Sequence, residues 1–304
     1  MATTKTKRKK KLRYIITYFI LALLALVCLY FILYPMISNI FSDRMQSKVQ
    51  ANYERKLEKI EEADLSQYEA EANAYNQRLS SNSVIFDENM QTMNFKEYSD
   101  LLNPTNNGIM AYVEIPRIDV YLPVYHGDSN DGLEKGIVHL FGTSLPVGGP
   151  STHAALSAHT GMSSQKLFTD LEQLDIGDVF YIHVLKQTLA YQVDQINVVE
   201  PWDTSLLGIE HDKDYVTLIT CTPYAVNTHR LLVRGTRIPY HEAIDIEKER
   251  ASTEPPTQSI WSSMYLKGIL IGLIIASVIA IIIGFIAYCE NTRRISKTNN
   301  TKKR

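Results

Sequence analysis

The chain has 304 residues, with 31 Lys plus Arg against 33 Asp plus Glu, a formal net charge of −2, and 45% hydrophobic residues, a composition that excludes a disordered chain. Three cysteines are too few for a disulfide scaffold. The near-neutral total hides a split. Residues 1–13 hold seven basic and no acidic side chains, and residues 290–304 six basic and one acidic. Lys267 apart, the rest carries −15, and that acidic middle excludes nucleic-acid binding there.

In chain order, a basic tail (1–13) leads into residues 14–36, YIITYFILALLALVCLYFILYPM, which carry no charge and suffice for a membrane helix of about 20 residues. The apolar run exceeds the roughly 7–15 residues of a signal-peptide core, and bulky Tyr34-Pro35-Met36-Ile37 offers no cleavage site, so the segment is expected to be retained. Residues 268–289, GILIGLIIASVIAIIIGFIAYC, form a second uncharged stretch. Tyr14, Tyr34, Trp261, Tyr265 and Tyr288 near the ends match interfacial anchors. Basic flanks stay in the cytoplasm, so both tails (1–13 and 290–304) are expected inside and residues 37–267 outside. The bilayer is thus the first expected partner.

Residues 37–107 are expected to form a helical stalk and a possible lid. Phe41 to about Leu79 lacks Gly and Pro and favours helix, with apolar positions sparse enough for a solvated or membrane-proximal element. Ser80 to Asn107 is polar and ends in the turn cluster NPTNNG. From residue 108 to 240 short β-branched and aromatic runs alternate with turn signals: MAYVEIPRI, VYLPVY, VFYIHVL, TLAYQVDQINVVE, YVTLITC and RLLVRGTRI. Their spacing predicts an all-β sandwich or barrel, interrupted by a helix in SSQKLFTDLEQL. Residues 241–267 read as a linker to the second membrane segment.

Cys28 and Cys289 fall in or at the end of the membrane segments, which leaves Cys221 as the one outer-domain cysteine. It has no intrachain disulfide partner and no sister cysteine for zinc. It ends the strand pattern Tyr215–Thr220 and precedes Thr222-Pro223, a place for an exposed nucleophile. A returning strand beginning at Arg230 brings a cation that lowers a thiol pKa and binds an oxyanion. A thiol nucleophile also needs a proton partner, usually histidine. The candidates are His126, His139, His153, His159, His183, His211, His229 and His241, and spacing does not choose among them.

Thr217-Leu218-Ile219-Thr220-Cys221 resembles the TLxTC signature of sortases, with Arg230 at that family's spacing. Thr143-Ser-Leu-Pro-Val-Gly-Gly-Pro150 followed by Ser157-Ala158-His159-Thr160-Gly161 resembles its catalytic-histidine region. CTPYAVNTHRLLVRG, VEIPRI, YQVDQI and the second membrane helix are most similar to class C, the pilin-polymerising sortases. The resemblance covers roughly Gly108 to Tyr240 and implies a mainly β fold, a closed sortase-like barrel with short helices. It implies Cys221 as nucleophile, His159 as acid/base partner and Arg230 as the cation for substrate and oxyanion. His153 lies outside the matching block, and Arg234 is the competing arginine.

The implied reaction cleaves an LPxTG-like sorting signal after Thr, forms a thioacyl-enzyme and passes the acyl group to a Lys amine of the next pilin. Pilins or other surface proteins with such signals are the expected partners, at the membrane of a Gram-positive bacterium. Anchoring of surface proteins to peptidoglycan, or a non-catalytic two-pass scaffold, are the alternatives. No cofactor and no metal are expected, since the acidic residues form no Ca²⁺-loop pattern. Leu145-Pro146-Val147-Gly148-Gly149 lacks Thr before Gly and reads as structural. The Asp-Pro-aromatic lid common in class C has no match between Ser66 and Asn107; Phe86-Asp87 stands roughly where a lid would.

Overall fold

A computed structural model describes residues 2–81, 95–127, 130–162, 165–253 and 259–301. It forms two units, residues 1–257 and 258–304. The first contains a closed eight-stranded barrel: β1 (Ile109–Ile115), β2 (Val120–His126), β3 (Ile137–His139), β4 (Thr152–Ser157), β5 (Val179–Val184), β6 (Gln187–Val199), β7 (Asp214–Thr222) and β8 (His229–Ile238). The strands follow the order β1-β2-β3-β4-β7-β8-β6-β5, and β1 closes onto β5. Two neighbours are parallel, β2 with β3 and β4 with β7, and the others antiparallel. Closure removes the unpaired edges an open sheet leaves exposed.

Side-chain alternation sorts residues to two faces of the wall. On β7, Val216 and Leu218 enter the main core with Leu231 and Val233 of β8. Ile219 and Leu232 face outward and are covered by a smaller cluster with Ala155, Leu206, Leu207 and Val199. β1 does not alternate in hydrophobicity, because helices cover its outer side.

Those helices are α1 (Ala2–Glu58) and α2 (Glu62–Ser81). The expectation of a solvated stalk fails here. Val49, Tyr53 and Leu57 recur every four residues, and Leu65, Tyr68, Ala72, Tyr75 and Leu79 every three or four, so each set forms one stripe. The stripes lie on the barrel: the Tyr53 and Tyr112 ring centroids are 5.3 Å apart, and Tyr75 is fully buried. Each large side chain so covered contributes about 1.5–3 kcal/mol, enough for a sparse stripe to dock a helix.

Asn76 of α2 fixes this packing, donating from Nδ2 to the Leu145 carbonyl (3.1 Å) and accepting from the Leu145 amide (2.7 Å). Asn76→Ala is expected to lower stability by about 1–3 kcal/mol by orphaning the buried Leu145 amide, while the Leu145 carbonyl keeps the Val147 amide (2.8 Å), read as a fall in melting temperature of the detergent-solubilised chain. After α2 comes the segment of the expected lid; Phe86-Asp87 lies outside the described residues. The chain resumes in α3 (Phe95–Asp100), whose Tyr98 hydroxyl sits 2.8 Å from Nδ1 of buried His139. A short helix α4 (Asn130–Lys135) joins β2 to β3.

Two further expectations are corrected. Within the stretch SSQKLFTDLEQL, residues 165–174 form turns and a 3₁₀ turn (Leu171–Gln173) rather than a helix. Its apolar residues Leu167, Phe168, Leu171 and Leu174 are all buried, which gave it a helical period. Leu167 takes φ +43°, and the Phe168 amide bonds the His159 carbonyl at 3.1 Å, so the backbone leaves the helical path. The expected linker at 241–267 begins instead with helix α5 (Tyr240–Thr253) on β5 and β6. It reads as polar because it docks through Ala243 and Ile246 and otherwise through charged groups. The Tyr181 hydroxyl donates to Glu247 (2.7 Å), and Arg250 bonds Asp178 (2.6 Å) and the Ile176 carbonyl (2.8 Å).

The second unit is α6 (Ile260–Thr301). Ala25–Glu58 within α1 and Ser262–Phe285 within α6 are long and apolar enough to cross a membrane, and no protein covers their apolar windows.

Candidate active site

Cys221 stands next to last on β7, with neighbours on both sides. On the antiparallel side it is the register partner of Arg230, which in turn pairs with Val199 of β6. On the parallel side Ser157 of β4 pairs with Ile219. Beyond it the Ala158 amide donates to the Ile219 carbonyl (3.0 Å), and the Thr220 hydroxyl donates to the Ala158 carbonyl (2.8 Å). His159 therefore comes level with Cys221. Adjacent strands lie about 4.8 Å apart and residues two apart share a face, so thiol and guanidinium rise from neighbouring strands on the outer wall, and His159 follows the end of the strand on the other side. All three are half-buried.

The floor beside this row is the apolar outer cluster of Ile219, Leu232, Val199, Leu206 and Leu207. It offers an extended donor chain a surface without charge. Around the thiol, Gly161 adopts φ +74°, which favours glycine, and a side chain there would meet the Tyr224 ring at 3.6 Å. The loops after β4 and β7 thus meet beside the site. Arg230 is bent over the second of them, donating from Nη1 to the carbonyls of His229 (3.0 Å) and Asn227 (3.4 Å).

The competing residues are committed elsewhere. Arg234, opposite Thr217, binds Asp194 through Nε and Nη2 at 3.0 Å each, reaches Glu210 at 3.4 Å and lies 4.1 Å over the Tyr215 ring. His153 is buried between the Gly208 carbonyl (2.8 Å) and the Thr217 hydroxyl (2.7 Å), and burial pushes its pKa down. His229 pairs with Thr222, one residue past Cys221, so it leaves the strand on the other face, 3.6 Å from Glu200. His126 and His139 are buried away in the barrel, and His183 binds Glu114 (2.7 Å). His211 pairs with Asp212, and His241 is exposed on α5.

Sequence reading gave no role to Glu172, whose carboxylate accepts from the Thr222 hydroxyl at 2.5 Å on the face of β7 opposite Cys221. It sits in the stretch read as a helix, so its approach to β7 had no sequence signal. Among the described residues no group of three or more His, Cys, Asp or Glu side chains is placed to hold a metal.

The family model described as the sortase domain matches residues 113–238, the barrel from within β1 to the end of β8. Sortase C-1 of Streptococcus pneumoniae is 48% identical over 62% of this chain and 97% of that one, with a TM-score of 0.56. The chain belongs to the sortase family. Sortase C1 of Streptococcus agalactiae is 43% identical over 63% of this chain and 98% of that one, with a TM-score of 0.60. Sortase D of Bacillus subtilis is 26% identical over 44% of this chain and 67% of that protein. The structural neighbours are class C members. This sortase is a cysteine transpeptidase, of a family that acts on surface proteins carrying sorting signals.

Proposed function

We propose that this sortase polymerises pilins, with Cys221, His159 and Arg230 as its catalytic residues. The observation that carries the assignment is the register: Cys221 has Arg230 as its β8 partner and His159 level with it beyond β4. A related Streptococcus pneumoniae sortase C, 45% identical over 64% of this chain and 97% of that one with a TM-score of 0.57, is described in terms of pilin substrate specificity, which supports the substrate class.

The sorting signal lies over the outer apolar cluster, with its Thr carbonyl at the thiol. The Cys221 thiolate attacks that carbonyl while the Arg230 guanidinium meets the developing oxyanion. His159 gives its proton to the leaving Gly amine, which leaves a thioester on Cys221. A Lys amine of the next pilin then displaces the sulfur. Tethering supports this second step. With α1 and α6 crossing the membrane, both tails inside and the barrel outside, enzyme and anchored substrates share one surface and a raised effective concentration.

Incubating the detergent-solubilised chain with an LPxTG-type peptide is expected to add the acyl mass to Cys221, visible by mass spectrometry of the intact protein. Cys221→Ala is expected to remove both adduct and cleavage. Peptide cleavage by that variant would refute the nucleophile assignment.

A further inference from the structure

Outside α1 and α6, five large apolar side chains stand exposed among the described residues: Ile176, Val198, Trp202, Val226 and Tyr240, with Trp202 the most open at 78%. Single apolar residues scattered over a surface are ordinary. These are not scattered. β7 runs toward Cys221, and the pairing of β8, β6 and β5 fixes which end of each strand lies there. Val198 stands near the close of β6, Trp202 follows it, Val226 belongs to the loop from β7 to β8, and Ile176 precedes β5. Four of the five therefore crown the barrel end that carries Cys221. Tyr240 follows β8 at the opposite end.

The catalytic end is also where the chain leaves for the membrane. Followed backwards, α1 climbs from the far end of the barrel to this one. Lys56 donates to the Thr105 carbonyl before β1 (3.0 Å), and the Tyr53 hydroxyl to the Met110 carbonyl early in β1 (3.4 Å). Gln46 then reaches Gln165 in the loop that follows His159 (3.3 Å). From Gln46 back to Met36, the end of the uncharged stretch, is about 15 Å of helix. Along β5 and β6, α5 takes the same course, from Tyr240 at the far end to Arg250, which donates to the Ile176 carbonyl (2.8 Å). Residues 254–259 alone separate α5 from α6.

A barrel whose two membrane connections leave from one end turns that end toward the bilayer. We propose that the catalytic end of the barrel rests on the outer face of the bilayer through Ile176, Val198, Trp202 and Val226. This rests on α1 crossing the membrane, as read above. Tryptophan favours that interface, where its ring lies at the level of the headgroups. Asp175, Glu200 and Asp203 stand on the same loops, so the seating is shallow. The carboxylates stay in water while the apolar tips between them enter, because an unpaired charge is costly to bury. Seated this way, Cys221 meets a sorting signal close to where it emerges from the bilayer. The donor that fits is a chain anchored in the same membrane near its signal.

Trp202 and Trp261 are the two tryptophans of the chain, so Trp261→Phe leaves one reporter. The full chain is placed in phosphatidylcholine nanodiscs, with and without bromine on the acyl chains. Trp202 emission is expected to shift to the blue, to be quenched by brominated lipid and to be shielded from iodide. Tyr240→Trp, in a chain with Trp202→Phe and Trp261→Phe, reports the opposite end. It is expected to keep its emission in brominated discs and lose it to iodide. Trp202 open to iodide and indifferent to bromine overturns the proposal, as does equal bromine quenching at the two ends. Should Trp261→Phe fail to fold, the quenching that Trp202→Phe removes from the wild-type signal gives the same reading. A chain that does not enter the discs overturns the membrane reading itself, a separate outcome seen by gel filtration before any quenching.

Discussion

Arg230→Ala is expected to lower kcat/KM for sorting-signal cleavage about 10²–10³-fold, the usual cost of removing one oxyanion donor. Arg230→Lys is expected to fall between, since it keeps the charge but loses the planar fork of donors. The control is Arg234→Ala. That guanidinium is held by Asp194 and Glu210 and stacked on Tyr215, opposite Thr217 rather than Cys221. It stands four residues from Arg230, about 13 Å along the strand. Its removal is expected to destabilise the fold by about 1–3 kcal/mol and leave the chemical step nearly intact. Single-turnover thioester formation separates the two, because it reports chemistry on the folded fraction. A larger loss of rate from Arg234→Ala than from Arg230→Ala would reverse the assignment.

The second large effect is on stability against pH. His139 is fully buried, and burial holds its pKa down at about 4, with His126 nearby acting in the same direction. Its Nε2 lies 2.8 Å from the Ser144 carbonyl and its Nδ1 2.8 Å from the Tyr98 hydroxyl. A neutral ring satisfies both, donating to the carbonyl and accepting from the phenol. In the unfolded chain the same histidine takes a proton below about 6.5. Between pH 6.5 and 4 the unfolded state therefore binds a proton that the folded state refuses, and stability falls as pH falls. The difference corresponds to about 3 kcal/mol, fully present above 6.5 and lost by 4. His153, also lowered by burial, adds to the slope with the same sign. Melting temperature measured across this range is expected to drop, and His139→Gln to flatten the drop while lowering stability at pH 7. A wild-type profile flat from 6.5 to 4 would contradict it.

The legible parts share a physical cause. A barrel strand must alternate faces and stop at turns, so the runs from 109 to 238 declare themselves by composition alone. The two apolar spans declare themselves by the absence of charge. The proposed nucleophile stood out in the sequence because Cys221 ends a strand pattern and has no other cysteine to pair with. The illegible parts are those whose partner is distant in sequence. The helix α5 passed for a linker because half its anchoring comes from Glu247 and Arg250, polar residues that find Tyr181 and Asp178 only in the fold. The paired helices passed for a solvated stalk because a narrow stripe suffices when the opposing surface is already an apolar barrel wall. The loop from His159 to Glu172 passed for a helix because burying Leu167, Phe168, Leu171 and Leu174 in irregular backbone leaves the same period as burying one helical face.

By itself the sequence determined the strand set, the two apolar spans with their basic flanks and the single cysteine between those spans. It determined them because hydrophobic periodicity and charge are local properties. Resemblance to sortases singled out His159 and Arg230. Only the tertiary structure decided their neighbours: antiparallel pairing of β7 with β8 sets Arg230 opposite Cys221, and parallel pairing of β4 with β7 brings the strand end before His159 to the other side. Register is a property of two strands at once, and no single strand carries it. The same holds for Glu172, which reaches Thr222 across 50 residues of chain.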